Sequence, residues 1–596
     1  MASAIGDYAL LGDCRSAALV GRDGSIDWWC APRFDSRSAF ARLLDPGAGH
    51  WSIRPSESYA VERVYLEDTM VLQSTFSTTG GVVRLTDAMV LGPGRGHEIG
   101  LRAPHALIRR VEGLVGRVPL EIDLQPRLEY GLVVPKFLPV PGGHRSTGGP
   151  DTLLLSGDSE LEPCDGGAKA TVTLASGRSL AFALQHEQGM SADGGEAIDV
   201  RAALEDTISA WRSWAANHAY DGAHAEHVRR SALVLQALTY QPTGAVVAAP
   251  TTSLPEIVGG AWNWDYRYAW LRDASLTLKA LWVAACPDEA TRYFDWMAAA
   301  ASSGSERADV QIMFGVEGER DLTERQLPHL AGYRDSQPVR VGNDAWRQRQ
   351  LDVYGEVLEA AWTLRERLAP LSDGTAAFLR ALVDAAASTW QETDAGIWEG
   401  REGERHYLSS KVMCWVALDR GVRLAELIGA DEEVVERWAR ERTAVHETVL
   451  RDGWSEEVGA YTGAFGSDNL DASVLLMAIT GFLPADDPRM GRTIDTIERE
   501  LAQDGHVRRW TGAVEGGFVI CSFWLANALA MAGELERAEK IFAAVIARMN
   551  DVGLLAEEID PSSGDLIGNF PQAFSHVGLI NAAWSIHQAR QRQERQ

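Results

Sequence analysis

The stretch IDVRAALEDTISAWRSWAANH, residues 198–218, is where the periodicity of the chain changes, and its reading decides the fold. Its apolar residues recur every three or four positions, the spacing of one face of a helix. Upstream, the apolar runs are short and often alternate with polar residues. They include VVRLTDAMVL (82–91), HALIRRVEG (105–113), VPLEIDLQPRL (118–128), TLLLSGD (152–158), KATVTLASG (169–177) and SLAFALQHE (179–187). Turns such as TTGG (78–81), PGRG (93–96), PVPGGH (139–144) and STGGPD (146–151) separate them. This pattern predicts an antiparallel β-sandwich over residues 1–200. Downstream, about a dozen amphipathic segments follow, near 223–240, 270–285, 288–302, 350–368, 374–391, 408–428, 431–449, 470–480, 488–502, 517–532, 534–549 and 573–591. Pro287-Asp288, Gly429-Ala430-Asp431 and Gly533 punctuate them as helix starts and stops. So many helices without a fixed-period repeat predict an (α/α)6 barrel over 223–596, joined to the sandwich by a linker helix at 201–222. The fold class is α+β and multidomain.

Composition narrows the function. A chain of 596 residues exceeds what one hydrophobic core serves, so two domains are expected. With 46% hydrophobic and 23% charged residues it reads as globular rather than disordered. A net charge of -27 argues against nucleic acid or an anionic membrane as partner and fits a neutral small molecule. Self-association into a homo-oligomer stays open. The six cysteines show no CxxC or Cys/His metal spacing and most lie in apolar runs, as buried free thiols of a reducing compartment do. The start MASAIGDYALLGD lacks a basic region and a long apolar core, and no later segment offers about twenty uncharged apolar residues. A cytoplasmic address is expected.

The densest chemistry lies in GGAWNWDYRYAWLRDAS (259–275), where Trp262, Trp264, Tyr266, Tyr268 and Trp270 interleave with Asp265, Arg267, Arg272 and Asp273. A buried core does not tolerate four unpaired charges among five rings, and a solvated loop does not favour the rings. A sugar pocket wants both, since sugar faces stack on rings while Arg and Asp bind vicinal hydroxyls. An interface belt or a capping knot is the plainer alternative. Four further loops are rich in polar groups: 315–345, 396–411, 505–517 and 553–576. Near the N-terminus, LVGRDGSIDWWCAPRFDS (19–36) gathers Trp28, Trp29, Arg33, Phe34 and Asp35. It fits equally a loop packed on the second domain and a contribution to the pocket mouth.

Cleaving a glycosidic bond needs two carboxyl groups in different environments. One stays protonated to serve the leaving oxygen, which burial against an aromatic wall promotes. Glu399, between Trp398 and Gly400 and after Ile397, is the best candidate, with a plain surface Glu as the alternative. The other must be ionised, and Glu557 or Glu558, after the apolar GLLA (553–556), fits. A solvated Glu pair is the simpler reading of those two residues. The Gly-rich pieces GPGRG and GVEGE lack the strand and Lys of a phosphate loop, and neither GxSxG nor HExxH occurs. His329, His406 and His576 have no metal-ligand spacing, so no metal is expected.

Several blocks resemble glycoside hydrolase family 15, the glucoamylase and trehalase group, in its bacterial form with a trehalase-like N-terminal domain. They are IGDYALLGDCRSAALVGRDGSIDWWCAPRFDS (5–36), NWDYRYAWLRDAS (263–275), GIWEGR (396–401) with SKVMCWVALDR (410–420), EGGFVICSFWLANAL (515–529) and EEIDPSSGDLIGNFPQAFSHVGLI (557–580). The resemblance extends over essentially the whole chain. It implies a β-sandwich followed by an (α/α)6 barrel, and hydrolysis with inversion that releases β-glucose from α-glucosides, with a tilt to trehalose or short oligosaccharides. It implies Glu399 as general acid and Glu557 as general base, where many members have Glu-Gln and this chain has Glu557-Glu558. Arg272 and Asp273 match the pair that holds the non-reducing glucose, and Arg509 looks like the arginine on the leaving-group side. Trp270, Trp398 and Glu558 are expected to line the same pocket. No cofactor is implied. A glycoside phosphorylase, in which phosphate replaces the activated water, and a non-catalytic sugar-binding protein are the competing readings.

Overall fold

The computed structural model describes residues 3–149, 151–158, 161–188, 197–218, 220–284, 286–302, 310–400 and 403–595. Upstream of residue 190, fifteen strands join in one antiparallel network. Its centre is a single strand, Ala106–Gln125. Two of the apolar runs, 105–113 and 118–128, are therefore one element and not two, because LVGR between them stays within the same strand. The first half of this strand pairs with Gly81–Met89 and Ser179–Gln188, the second half with His50–Pro55 and Gly167–Ala175. At the changeover Gly116 has φ +66°, and a Cβ there would lie 2.1 Å from the Gly80 carbonyl oxygen, so only glycine fits. The two sets of strands face each other: Gly24 of one abuts Phe76 and Leu85 of the other. Between them Arg109, fully buried, is satisfied by Asp87 and by the Trp51 and Gly24 carbonyls.

The helix Val200–Ala215 starts where Asp199 caps the Arg201 and Ala202 amides. It is no loose linker. Trp211 and Trp214 are buried, and the Trp214 indole donates to Glu289 on the helix Pro287–Ala301.

Beyond it the helices occupy the segments that periodicity predicts. Ala274–Val283 packs on Asp352–Leu368, which packs on Leu408–Arg423. That helix touches the short pair Ala472–Leu475 and Leu476–Ile479, which leads to Val519–Met531 and then Ala573–Arg595. Ala573–Arg595 returns to Ala274–Val283 and closes the circuit. Ala225–Ala237, Pro287–Ala301, Asp373–Thr389, Glu432–Asp452, Pro488–Leu501 and Leu535–Ile546 pack outside it. The sequences explain who is inside. VICSFWLANALAM (519–531) is buried on all sides, whereas Glu432–Asp452 buries only Trp438, Val445 and Val449, one narrow stripe. Leu408–Arg423 ends before the expected 428, and residues 424–429 turn over, with Gly429 in the left-handed region.

Among the described residues no helix is long and apolar enough to cross a membrane. Five cysteines are buried and free as expected, but Cys164 is exposed.

Candidate active site

Residues 262–270 run extended and antiparallel to 248–256, through Glu256 N to Trp262 O, Ser253 N to Trp264 O, Ala249 N to Tyr266 O and Ala248 N to Tyr268 O. An extended chain sends successive side chains to opposite sides. That alternation, interrupted by a bend at Tyr268, sorts the rings and charges read from the sequence. On one side Asp265 and Arg267 form a buried pair at 2.7 Å, and Arg267 donates to Ser36 O and to the Tyr130 hydroxyl of the β-rich region. On the other, the Tyr266 hydroxyl donates to Glu557 Oε1 at 2.6 Å and the Trp270 indole donates to Glu399 Oε1 at 2.6 Å. The Tyr266 and Trp270 rings meet edge to face, their centroids 5.5 Å apart. One extended segment therefore contacts both candidate carboxylates.

Glu399 sits on the turn between the helices Asp373–Thr389 and Leu408–Arg423. Its backbone is left-handed, φ +58°, a conformation that costs a non-glycine residue about 1 kcal/mol or more and concentrates at functional sites. Gly396 opens the turn with φ +72°, close against the Tyr407 ring. Arg272 also donates to Glu399 Oε1, at 2.8 Å, and to Ile397 O. Two donors thus converge on one oxygen, while Oε2 carries no hydrogen bond among the described residues. Arg401 and Glu402 of this loop lie outside the described residues.

Glu557 and Glu558 lie where the chain enters a three-stranded sheet of Gly517–Phe518, Glu558–Ile559 and Leu566–Ile567. Being adjacent, they point opposite ways. Glu557 Oε1 accepts from Tyr266 and from Gln572, and Oε2 is buried with no hydrogen-bond partner among the described residues. Glu558, expected in the pocket lining, is instead fully buried, accepts from the Gly516 amide, and lies 3.7 Å from Arg509. Burial, then the neighbouring Glu256 carboxylate, raises the Glu557 pKa. The two acids differ in burial. Glu399 keeps about a fifth of its side chain exposed (21%), and Glu557 is 1% exposed. Only the packed chain reveals that the loop at 396–400 projects while GLLAEE is drawn into the core.

Arg272 pairs with Asp273 at 3.0 Å, and both are largely buried. Burial opposes the Arg272 charge, but Asp273 and Glu399 beside it raise its pKa, and burial raises that of Asp273. The Trp398 indole donates to both oxygens of Asp471, and its ring packs on Trp510, Phe518 and Trp524. Arg509 lies over the Trp398, Trp510 and Phe518 rings and is bound by Glu256 at 2.5 Å and Glu515 at 2.9 Å. The fold thus gathers Trp270, Arg272, Asp273, Trp398 and Glu399, links Glu557 to them through Tyr266, and sets Arg509 and Glu558 behind. Sequence reasoning did not single out Glu256, Asp471 or Gln572. The hydroxyl of Tyr266 was legible as part of the aromatic run, its partner was not. His329 bonds to Tyr130 O and His576 to Ser231, each with its own packing partner.

Trp28 and Trp29 belong to the strand Ser25–Cys30 and are fully buried. Trp28 donates to Pro250 O, bracing the partner strand from behind, and Arg33 pairs with Glu317 and Glu319 of the 315–345 loop. Of the two readings of this stretch, packing against the helical region describes these residues.

This geometry can be set beside known proteins. Residues 222–584 match the family model for glycosyl hydrolases family 15, and residues 1–179 match a trehalase-like N-terminal model. A trehalase of Mycolicibacterium smegmatis is 38% identical over 99% of this chain and 92% of its own length. A trehalase of Thermoplasma volcanium is 32% identical over 98% of this chain and 93% of its own. The crystal structure of a bacterial glucoamylase complexed with acarbose superposes with a TM-score of 0.73, covering 98% of this chain and 94% of that one at 13% identity, a likeness of fold. The two carboxylates therefore sit in a framework shared from end to end with enzymes of one kind, and the chain belongs to glycosyl hydrolases family 15.

Proposed function

We propose that this glycoside hydrolase cleaves the α-glucosidic bond of trehalose, or of short α-gluco-oligosaccharides, with inversion at the anomeric carbon. The observation that carries this reading is the pair Glu399 and Glu557, held from one strand by Trp270 and Tyr266. Glu399 is the general acid. With one oxygen held by Trp270 and Arg272, the other carries the proton that passes to the leaving glycosidic oxygen. Glu557 is the general base. It takes a proton from a water that attacks the anomeric carbon as the carbon–oxygen bond breaks, giving β-glucose and the released sugar. An inverting pair needs a gap of roughly 6.5–9.5 Å between its carboxyls to admit that water. Arg272 and Asp273 hold hydroxyls of the deepest glucose with charge-assisted bonds. Arg509 acts on the leaving-group side from behind Trp398 and Trp510. Trehalose is favoured because the full-length relatives are named trehalases.

Three coarser features belong to the same reading. The closed circuit of helices with its outer layer supports an (α/α)6 barrel over 223–596, after a β-sandwich at 1–200 and a connecting helix at 201–222. The free, mostly buried thiols support a reducing, cytoplasmic setting. The base carboxylate favours hydrolysis over phosphorolysis and over binding without turnover.

The test is glucose release from trehalose, maltose, isomaltose, kojibiose and nigerose, without phosphate, with proton NMR of the first product. From trehalose, β-glucose from the attacked ring and α-glucose from the leaving ring should appear at first in equal amounts, and Glu399→Gln and Glu557→Gln should each lower kcat by about 10²–10⁴-fold. α-Glucose alone as the initial product of trehalose, or either variant retaining near wild-type rates, would overturn the assignment.

A further inference from the structure

A cavity of about 560 Å³ lies where the β-rich region meets the loop at 321–342, within the size range of small-molecule sites. It is not the pocket of the catalytic pair: neither Glu399 nor Glu557 lines it. Its walls come from segments far apart in sequence. Arg37 and Tyr130 lie on the β-rich side, Tyr268 on the extended segment that contacts Glu399 and Glu557, and Asp321 and Arg325 on the loop. Two features set it apart from an idle cleft between domains. Its floor is rigid, because Arg267 is locked by Asp265, the Tyr130 hydroxyl and the Ser36 carbonyl. Its rim presents polar groups with unused capacity. The Tyr268 hydroxyl has no hydrogen bond among the described residues although its side chain is mostly buried (8% exposed), and the Arg325 guanidinium has no ion pair among them. Asp321 accepts from the Thr323 amide and hydroxyl, and Arg347 lies near enough to act on its charge.

The charges decide the ligand class. Arg33 is matched by Asp35, Glu317 and Glu319, Arg37 by Glu129, and Arg267 by Asp265. What remains is a guanidinium at Arg325 and the carboxylates of Asp321 and Asp151, the latter also bonded to His186, beside two phenol rings. An anion would meet Asp321 and a cation would meet Arg325, each uncompensated. A neutral polyol satisfies both, since its hydroxyls accept from Arg325 and Tyr268 and donate to Asp321 while a sugar face lies on a ring. We infer that this junction cavity is a second binding site for a neutral mono- or disaccharide, separate from the catalytic pocket. The bound sugar rests on Tyr268, two residues from the Tyr266 that holds Glu557.

The experiment is equilibrium dialysis of the wild-type chain with radiolabelled glucose, which the enzyme does not consume. Two glucoses per chain are expected, one in the catalytic pocket and one at the junction. The Asp321→Ala/Arg325→Ala variant should lose the junction glucose and keep kcat/KM for trehalose within about twofold. Unlabelled trehalose, offered to Glu399→Gln, should displace the junction label, and inorganic phosphate should not. Glucose binding unchanged in the double variant overturns the site, and displacement by phosphate overturns the neutral-sugar assignment. If the proposed hydrolysis itself were wrong, the label removed by Asp321→Ala/Arg325→Ala would still be found, so the two failures are distinguishable.

Discussion

The Tyr266 hydroxyl donates to Glu557 Oε1 at 2.6 Å, and the Glu256 carboxylate lies close enough to oppose a charge on the same group. These neighbours act in opposite directions. The hydrogen bond favours the ionised base and lowers its pKa, while the like charge disfavours it. A base works only when deprotonated, so the acid limb of the kcat/KM profile follows its ionisation. Burial has already moved that limb above the range of a free glutamate. Tyr266→Phe should carry it higher still and Glu256→Gln lower. A hydrogen bond worth about 1 kcal/mol corresponds to a displacement of roughly 0.5–1 in pH. Profiles that move the same way in both variants, or do not move, would mean that Glu557 is not the group seen. At this scale the sequence was informative about kind and silent about environment. Glu399 and Glu557 could be singled out beside apolar residues, but which was the more buried could not, because burial is set by contacts made from 129 to 291 residues away.

The turn that closes behind Glu557 is as constrained as Glu557 itself. Gly568 has φ +77°, its amide donates to Pro255 O, and a Cβ there would lie 2.6 Å from Glu557 Oε2. Gly568→Ala should therefore cost about 1–2 kcal/mol of stability from backbone strain. Because the added methyl must displace Glu557, kcat should fall by at least about tenfold in protein that still melts cooperatively. Thermal melts and steady-state rates check this, and unchanged kcat would separate the turn from the chemistry. Helices were the most legible elements, since a stripe such as Trp438, Val445 and Val449 is a property of local spacing. The long central strand was not. Its two halves carry separate apolar runs, and only pairing with four different strands keeps residues 114–117 extended between them.

Across the whole molecule, the β-rich region and the helices meet on the extended segment that contacts Glu399 and Glu557. Asp265 and Arg267 are each 0–1% exposed and tie that strand to Ser36 and Tyr130. Arg267→Met leaves Asp265 buried without its counter-charge, a loss of about 3–5 kcal/mol. Melting temperature and glucose release should fall together, because Tyr266 and Trp270 move with the strand. Adding Asp265→Asn should restore part of the melting temperature, since the unpaired charge is then gone. A single variant that melts like wild type would show that the junction does not support the site. Local periodicity and composition were enough to read the change of architecture near residue 200, the places of most helices and the residue types of the chemistry. The stretch at 259–275 was legible as rings mixed with charges. Only the tertiary structure sorted them, sending Asp265 and Arg267 to the junction and Tyr266 and Trp270 to the two carboxylates. The physical reason is that an extended strand has two sides, and what faces each is decided by segments hundreds of residues away.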